Sequence, residues 1–196
     1  EVVGFDIDPN KVNKINEKEV PFKDDDLGKY LKRSPIVATT DASVVKDVSI
    51  VVIAVPTPVD KDNHPDLTPL TSALGSIKPY LHAGQVVVVE STINPGVMDE
   101  VVMPLLYDIP GIHLAHCPER INPGDPKWSV RNIPRVLGGY SSVGVGQALK
   151  FYNSVIEAPI KIMESAKEAE AVKIMENTFR DVNIAFINEM AKSFSI

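Results

Sequence analysis

A doubly wound, parallel α/β sheet is the fold this sequence predicts, on two observations. Short apolar runs rich in Val and Ile recur along the chain: EVVGF, PIVAT, SIVVIAV, QVVVVE, IHLAH, RVLGG and a weaker APIKIM. Their continuity, rather than strict alternation, marks strands covered on both faces. Between them lie segments of helical period, PNKVNKINEK, TDASVVKD, TPLTSALGSIKPYL, NPGVMDEVVMPLL and SSVGVGQALKFYNSV. Repeated strand–helix units of this length build a sheet with helices on both sides.

Each element has a local reason. Several helical segments open on Ser, Thr, Asp or Asn, which cap a helix start, and the NPG segment adds Pro at the first helical position. Two Pro-rich stretches, VPTPVDKDNHPDLTP and CPERINPGDPKW, follow strands, where such sheets bind ligands. The last segment, SAKEAEAVKIMENTFRDVNIAFINEMAKSF, begins with Ser165 and Glu168 at capping-box spacing. Val172, Met175, Phe179, Val182, Phe186 and Met190 then form one apolar stripe, which predicts a long buried helix leading into a second domain. The expected division is residues 1–163 for the sheet domain and 164–196 for the start of a central helical domain.

Composition narrows the class. The 196 residues are 44% hydrophobic and 23% charged, as in ordinary globular proteins. A net charge of −6 argues against a broad nucleic-acid or anionic-membrane surface, so neither is expected as a partner. The apolar runs are too short to span a bilayer, which takes about 20 apolar residues. No export signal opens the chain, and one cysteine, unable to form an internal disulfide, suits the cytoplasm.

Several residues carry candidate chemistry. Asp6 ends the first run in GFDID, where an acid accepts hydrogen bonds from ribose hydroxyls and favours NAD over NADP; a solvated acid fits equally well. Lys11 sits near an adenine in the first reading and on the surface in the second. Pro56, Thr57 and Pro58 stiffen the turn after SIVVIAV, holding backbone groups at a fixed distance from a ligand. In ESTINPG, the Ser91 and Thr92 hydroxyls and a helix start at Asn94-Pro95-Gly96 suit an anion or a developing oxyanion, or else satisfy local backbone. Glu119 could act as a base or orient a water, and Arg120 follows it; a structural ion pair is the plain alternative.

Lys173, Asn177 and Arg180 form a second stripe at i, i+4, i+7 on the last helix. Buried hydrogen-bonding side chains need partners. A lysine there can stabilise an alkoxide, and an asparagine can hold a water or hydroxyl. Because the apolar stripe is expected to make the core contact, this polar one is read as facing a ligand. Arg180 is a substrate contact by its place on that stripe. His113, His116 and Cys117 do not make a metal site: on a strand the two histidines point to opposite faces, and the cysteine reads as buried and structural. No metal is expected.

Together GFDID, AVPTP, ESTINPG, CPERINPG, RVLGG and VKIMENTFRDVNIAFINE resemble the UDP-glucose/GDP-mannose dehydrogenase family, in family order over nearly the whole chain. HPDLTPL, ERINPGDPKW and ENTFRDVNIAFINE look most like the branch acting on UDP-N-acetylhexosamines. The resemblance implies a Rossmann-type NAD-binding domain, a central domain whose long helix mediates a homodimer, and a further nucleotide-sugar domain. It implies oxidation of the sugar C6 alcohol to a carboxylate with two NAD+ in turn, the second step through a cysteine thiohemiacetal, for polysaccharide biosynthesis.

Carried over by motif, Asp6 holds the adenosine ribose, and Val55, Pro56 and Thr57 line the cofactor loop, with Ser91 beside them. Thr92 lies at the nicotinamide and orients a water, Glu119 serves or assists as base, Lys173 stabilises the C6 oxyanion and Asn177 holds a water or the oxyanion. Glu119, Arg120, Lys173, Asn177 and Arg180 make up the substrate-binding set. Pro123 stands where the UDP-glucose branch has a second acid, whose role is therefore not carried over. The family's glycine loop would precede residue 1 and its G-G-x-C thiol would follow the last helix, so the chain is expected to be an internal, inactive piece lacking the first strand. Cys117 does not inherit the nucleophile's role. Two other readings compete: a single-hydride β-hydroxyacid or 6-phosphogluconate-type dehydrogenase, against which CPERINPG argues, and a non-catalytic nucleotide-binding module.

Overall fold

The structure is a computed structural model describing residues 2–22, 27–121 and 127–194. The chain divides into two compact units, Glu1–Val48 with Ser76–Leu81, and Ser49–Gly75 with His82–Ile196. Every apolar run named above contains a strand.

In the first unit, β1 (Val3–Phe5) pairs in parallel with β2 (Val37–Thr39). Helix α1 (Pro9–Asn16) starts where sequence chemistry says it should: Asp8 accepts from the Asn10 N–H, and Pro9 opens the first turn. Asn16 closes the helix onto β2, accepting from Ala38 N at 2.8 Å and donating to Ala38 O at 2.9 Å. A short helix α2 (Leu27–Leu31) follows. TDASVVKD forms a 3-10 helix, Ala42–Asp47, capped by Asp41.

The second unit is built on a five-stranded sheet in the order β3 (Ile50–Ile53), β4 (Val86–Val89), β5 (His113–His116), β6 (Arg135–Gly139) and β7 (Ile160–Ile162). Four valines fill β4 and none has any exposed surface, the burial on both faces that a continuous apolar run predicts. Helix α3 (Thr68–Ile77) separates β3 from β4 in sequence, and α4 (Met103–Leu106), preceded by a π-helical turn at Met98–Val102, separates β4 from β5. The sheet is mostly parallel, with one departure: β6 runs antiparallel to β5. The described part of the connection between them contains no helix.

Strand alternation sets which helix covers which face. Val86, Val88, Ala115, Cys117 and Leu137 pack with Ala148, Tyr152 and Ile156, so this face belongs to α5 (Ser142–Val155) and the residue just beyond it. The opposite face, which carries Gly138, takes α6 (Ala166–Phe194). A Cβ at Gly138 would lie 2.2 Å from the Ser165 carbonyl oxygen, so only glycine lets the helix start seat this closely. Ser165 accepts from Glu168 N at 3.1 Å, as the capping box predicts; Glu168 reaches back to Glu164 N at 2.9 Å, one residue beyond the expected partner.

One expectation is overturned here. The apolar stripe of α6 is not buried: Met175 is 69% exposed, Phe179 73%, Val182 60% and Phe186 60%. The buried residues of the helix are Ala166, Ala169, Glu170 and Lys173. Two alanines let the helix approach β6, and the polar side chains beside them go in with that face. Among the described residues no helix is long and apolar enough to cross a membrane.

Candidate functional site

The candidate residues of the second unit lie at the exits of β3, β4 and β5 and on α6. Glu90, first out of β4, turns toward the α5 face, where its Oε1 accepts from Arg135 Nη1 at 2.9 Å and Tyr152 Oη at 2.7 Å. Arg135 is 3% exposed, so this is a buried ion pair locking β4, β6 and α5 together. Cys117 lies beside it; burial pushes its thiol up to about 11, with the Arg135 charge pulling the other way. A thiol that stays protonated is no nucleophile at neutral pH.

Ser91 turns back toward β3. Its hydroxyl accepts from Val55 N at 2.9 Å and donates to Val55 O at 2.8 Å. The hydroxyl proposed for a cofactor is thus spent on the backbone of Val55, fixing the loop that continues through Pro56 and Thr57. Thr92 is half-buried on the next position. The helix start that follows is also filled from within: Glu170 of α6, with no exposed surface, accepts from Gly96 N at 2.7 Å and from Met98 N at 2.8 Å. These amides were the expected seat for an external anion. An internal carboxylate occupies it.

At the β5 exit, Glu119 folds back to accept from the Ile121 N–H. Arg120 binds Glu176 of α6 at 2.8 Å through Nε and donates to Pro134 O at 3.0 Å through Nη1. The ion pair that CPER suggested therefore exists, with Glu176 rather than Glu119 as the acid. Pro123 lies outside the described residues.

Lys173 is the centre of this group. It is 6% exposed, and burial lowers the pKa of its ammonium while Glu119 and Glu176 pull it up and Arg180 and Arg120 push it further down. Asn177 accepts from Arg180 Nη2 at 2.8 Å through Oδ1, so what it can offer a substrate oxygen is its amide N–H2. The arrangement is a largely desolvated ammonium among two carboxylates and two guanidinium groups, suited to holding negative charge that appears beside it. Glu170 and Glu176 were missed by sequence reasoning; both lie on the turns flanking Lys173, and the signal was the continuation of the polar stripe.

In the first unit, Asp6 leaves β1 with its side chain 37% exposed, accepting from Asp8 N at 2.9 Å and facing Lys11 Nζ at 3.5 Å. Lys11 thus pairs with the acid itself, and the Asp6 carboxylate stays partly exposed. His113 meets Ser141 Oγ at 2.9 Å through Nδ1, while alternation puts His116 on the α6 face. Among the described residues no group of His, Cys, Asp and Glu is arranged to hold a metal ion.

Residues 1–156 match the model of the NAD binding domain of the UDP-glucose/GDP-mannose dehydrogenase family. The chain belongs to this family. Residues 167–195 match the family's central domain. Among curated relatives, a UDP-N-acetyl-D-mannosamine dehydrogenase from Methanocaldococcus jannaschii is 37% identical over 98% of this chain and 45% of its own length. A UDP-N-acetyl-D-glucosamine 6-dehydrogenase from Pseudomonas aeruginosa is 34% identical over 99% of this chain and 47% of its own. Among solved structures, a UDP-D-ManNAc dehydrogenase from Pyrococcus horikoshii superposes with a TM-score of 0.88 at 32% identity, over 100% of this chain and 49% of that one. The chain spans about half the length of the relatives it matches. In this member of the dehydrogenase family, the fold buries Lys173 of the residues singled out on α6 and leaves Asn177 and Arg180 half-buried.

Proposed function

We propose that this chain supplies the NAD-binding half and the oxyanion-stabilising lysine of a UDP-N-acetylhexosamine 6-dehydrogenase, which oxidises the C6 hydroxyl to a carboxylate in two NAD-dependent steps. The observation that carries the reading is Lys173: an ammonium 6% exposed, on the helix that continues past the sheet, under the charge of Glu119. NAD+, when bound, takes up the hydride from C6. Lys173 stabilises the negative charge left on the C6 oxygen, Asn177 donates an N–H to that oxygen or to a water beside it, and Glu119 accepts or relays the hydroxyl proton.

Val55, Pro56 and Thr57, on the loop pinned by Ser91, line the cofactor side of the second unit, and Thr92 orients a water. Ser91 acts through Val55, Arg120 by tying the turn after β5 to Glu176 of α6, and Arg180 through Asn177. Asp6 accepts the adenosine ribose hydroxyls in the first unit, with Lys11 neutralising its second oxygen. The thiol of the second oxidation is not Cys117, which burial keeps protonated. We take residues 1–163 as the cofactor domain and 164–196 as the start of a central domain that pairs two protomers through the exposed stripe of α6, in a cytoplasmic enzyme of polysaccharide biosynthesis.

The test is turnover of UDP-GlcNAc, UDP-ManNAc and UDP-GalNAc by the complete protein, counting NADH formed per sugar. Two per sugar is expected with one of them. One per sugar points instead to the single-hydride class, and none with any substrate favours a binding module.

A further inference from the structure

The proposed chemistry leaves one carboxylate of α6 without a task. Glu170 has no exposed surface, and both of its oxygens are spent on backbone N–H groups of Gly96 and Met98, 74 and 72 residues earlier in the chain. Burial raises its pKa; the two N–H bonds hold it down, Asp99 pushes it up and Lys167 draws it down. Capping a helix start does not require this. A Ser, Thr, Asp or Asn from the same turn does it at the surface, without taking a carboxylate out of water. The long-range cap instead joins two elements.

Those elements carry chosen residues at fixed distances from the joint. Gly96 lies four positions after Thr92, and its φ of +104 leaves its N–H directed as only glycine permits. On the other side, Lys173 follows Glu170 by three residues, one helical turn on the same face, about 4.5 Å along the axis. Thr92, the Gly96 amide, the Glu170 carboxylate and Lys173 thus form a continuous run of backbone and short bonds.

We propose that Glu170 is a positioning residue: by clamping α6 to the turn after β4, it sets the depth and rotation of Lys173 relative to Thr92, and through them the placement of the substrate's C6 oxygen. The inference rests on the role given to Lys173 above.

The experiment compares the complete wild-type protein with Glu170→Gln, Glu170→Asp and Lys173→Ala, measuring kcat, KM for NAD+ and the primary deuterium isotope effect with nucleotide sugar deuterated at C6. Glu170→Gln puts a donor against an N–H, and Glu170→Asp withdraws the carboxylate by one methylene. Both are expected to lower kcat at least ~10-fold, since small misplacements of this kind cost that much or more. They should raise the isotope effect as hydride transfer becomes limiting, and leave KM for NAD+ within about twofold. A cap that serves stability alone would lower the melting temperature yet leave the isotope effect of the folded enzyme unchanged, and that result overturns the proposal. Should Glu170→Gln not fold, Glu170→Asp decides by the same readouts; should neither fold, the clamp is a folding element and the proposal is overturned. If Lys173→Ala is inactive while the Glu170 variants are indistinguishable from wild type, only this inference fails. Retained turnover in Lys173→Ala overturns the reading of Lys173 and the inference with it.

Discussion

The two ends of α6 use the same helical geometry for opposite purposes. From Ala166 to Lys173 the helix buries small and charged residues, with alanines against β6 and Glu170 and Lys173 alongside. From Met175 onward it carries large apolar side chains and exposes them, Phe179 and Phe194 the most. A helical period of apolar residues reports that a face will be covered, but not by what. Here the sheet of the same chain covers only the first turns of the helix, with Glu170 and Lys173, and the exposed apolar face beyond them fits the pairing of protomers proposed above.

The sharpest way to break this contrast is Lys173→Ala in the complete enzyme. Losing the buried ammonium proposed to stabilise the C6 oxyanion should cut kcat by about a hundred- to a thousand-fold, with NAD+ affinity unchanged, read by steady-state kinetics and cofactor titration. Next is the seat of the buried end. Gly138→Ala places a methyl 2.2 Å from the Ser165 carbonyl oxygen, a contact that only backbone movement can relieve. Denaturant unfolding should show a loss of about 3 kcal/mol. At the exposed end, Phe179→Ser combined with Phe186→Ser should weaken self-association at least ~10-fold by analytical ultracentrifugation while kcat per folded site changes less than in Lys173→Ala.

A last effect, visible only on acidification, concerns the sheet face that α6 covers. Among the described residues neither ring nitrogen of His116 has a partner, and burial lowers its pKa to about 4. The unfolded chain takes up this proton near pH 6.5 and the folded one only near 4. The stability that neutral His116 preserves is therefore complete above about 6.5 and is lost as pH falls through that window. His116→Leu should flatten the acid limb of the stability profile by up to ~1.4 kcal/mol per pH unit. An unchanged limb would show that His116 keeps a proton partner that the fold hides.

Much of the fold was legible because its signals are local. Continuous Val and Ile runs became β3 through β6, Asp8 and Pro9 started α1, and Ser165 and Glu168 started α6. The antiparallel entry of β6 was not legible, because strand direction depends on where a long connection returns and no side-chain pattern encodes that. The site divides likewise. The motifs singled out Lys173 and Glu119 as chemical groups. Ser91 and Arg120 have equally suggestive neighbours in sequence, yet Ser91 is committed to Val55 and Arg120 to Glu176, partners 36 and 56 residues away.

What the sequence determined by itself was the list of elements, the family and the residue types able to do hydride-transfer chemistry, since periodicity, caps and motifs act over a few residues. Only the tertiary structure decided which part of α6 goes inward. The close approach allowed by Gly138, Ala166 and Ala169 selects the face that fits, and that face brings Glu170 onto the Gly96 amide and Lys173 into the low-dielectric interior. Most of the apolar stripe lies beyond that seat, where every described residue from 181 onward is exposed, because a sheet covers only the length of helix that packs on it.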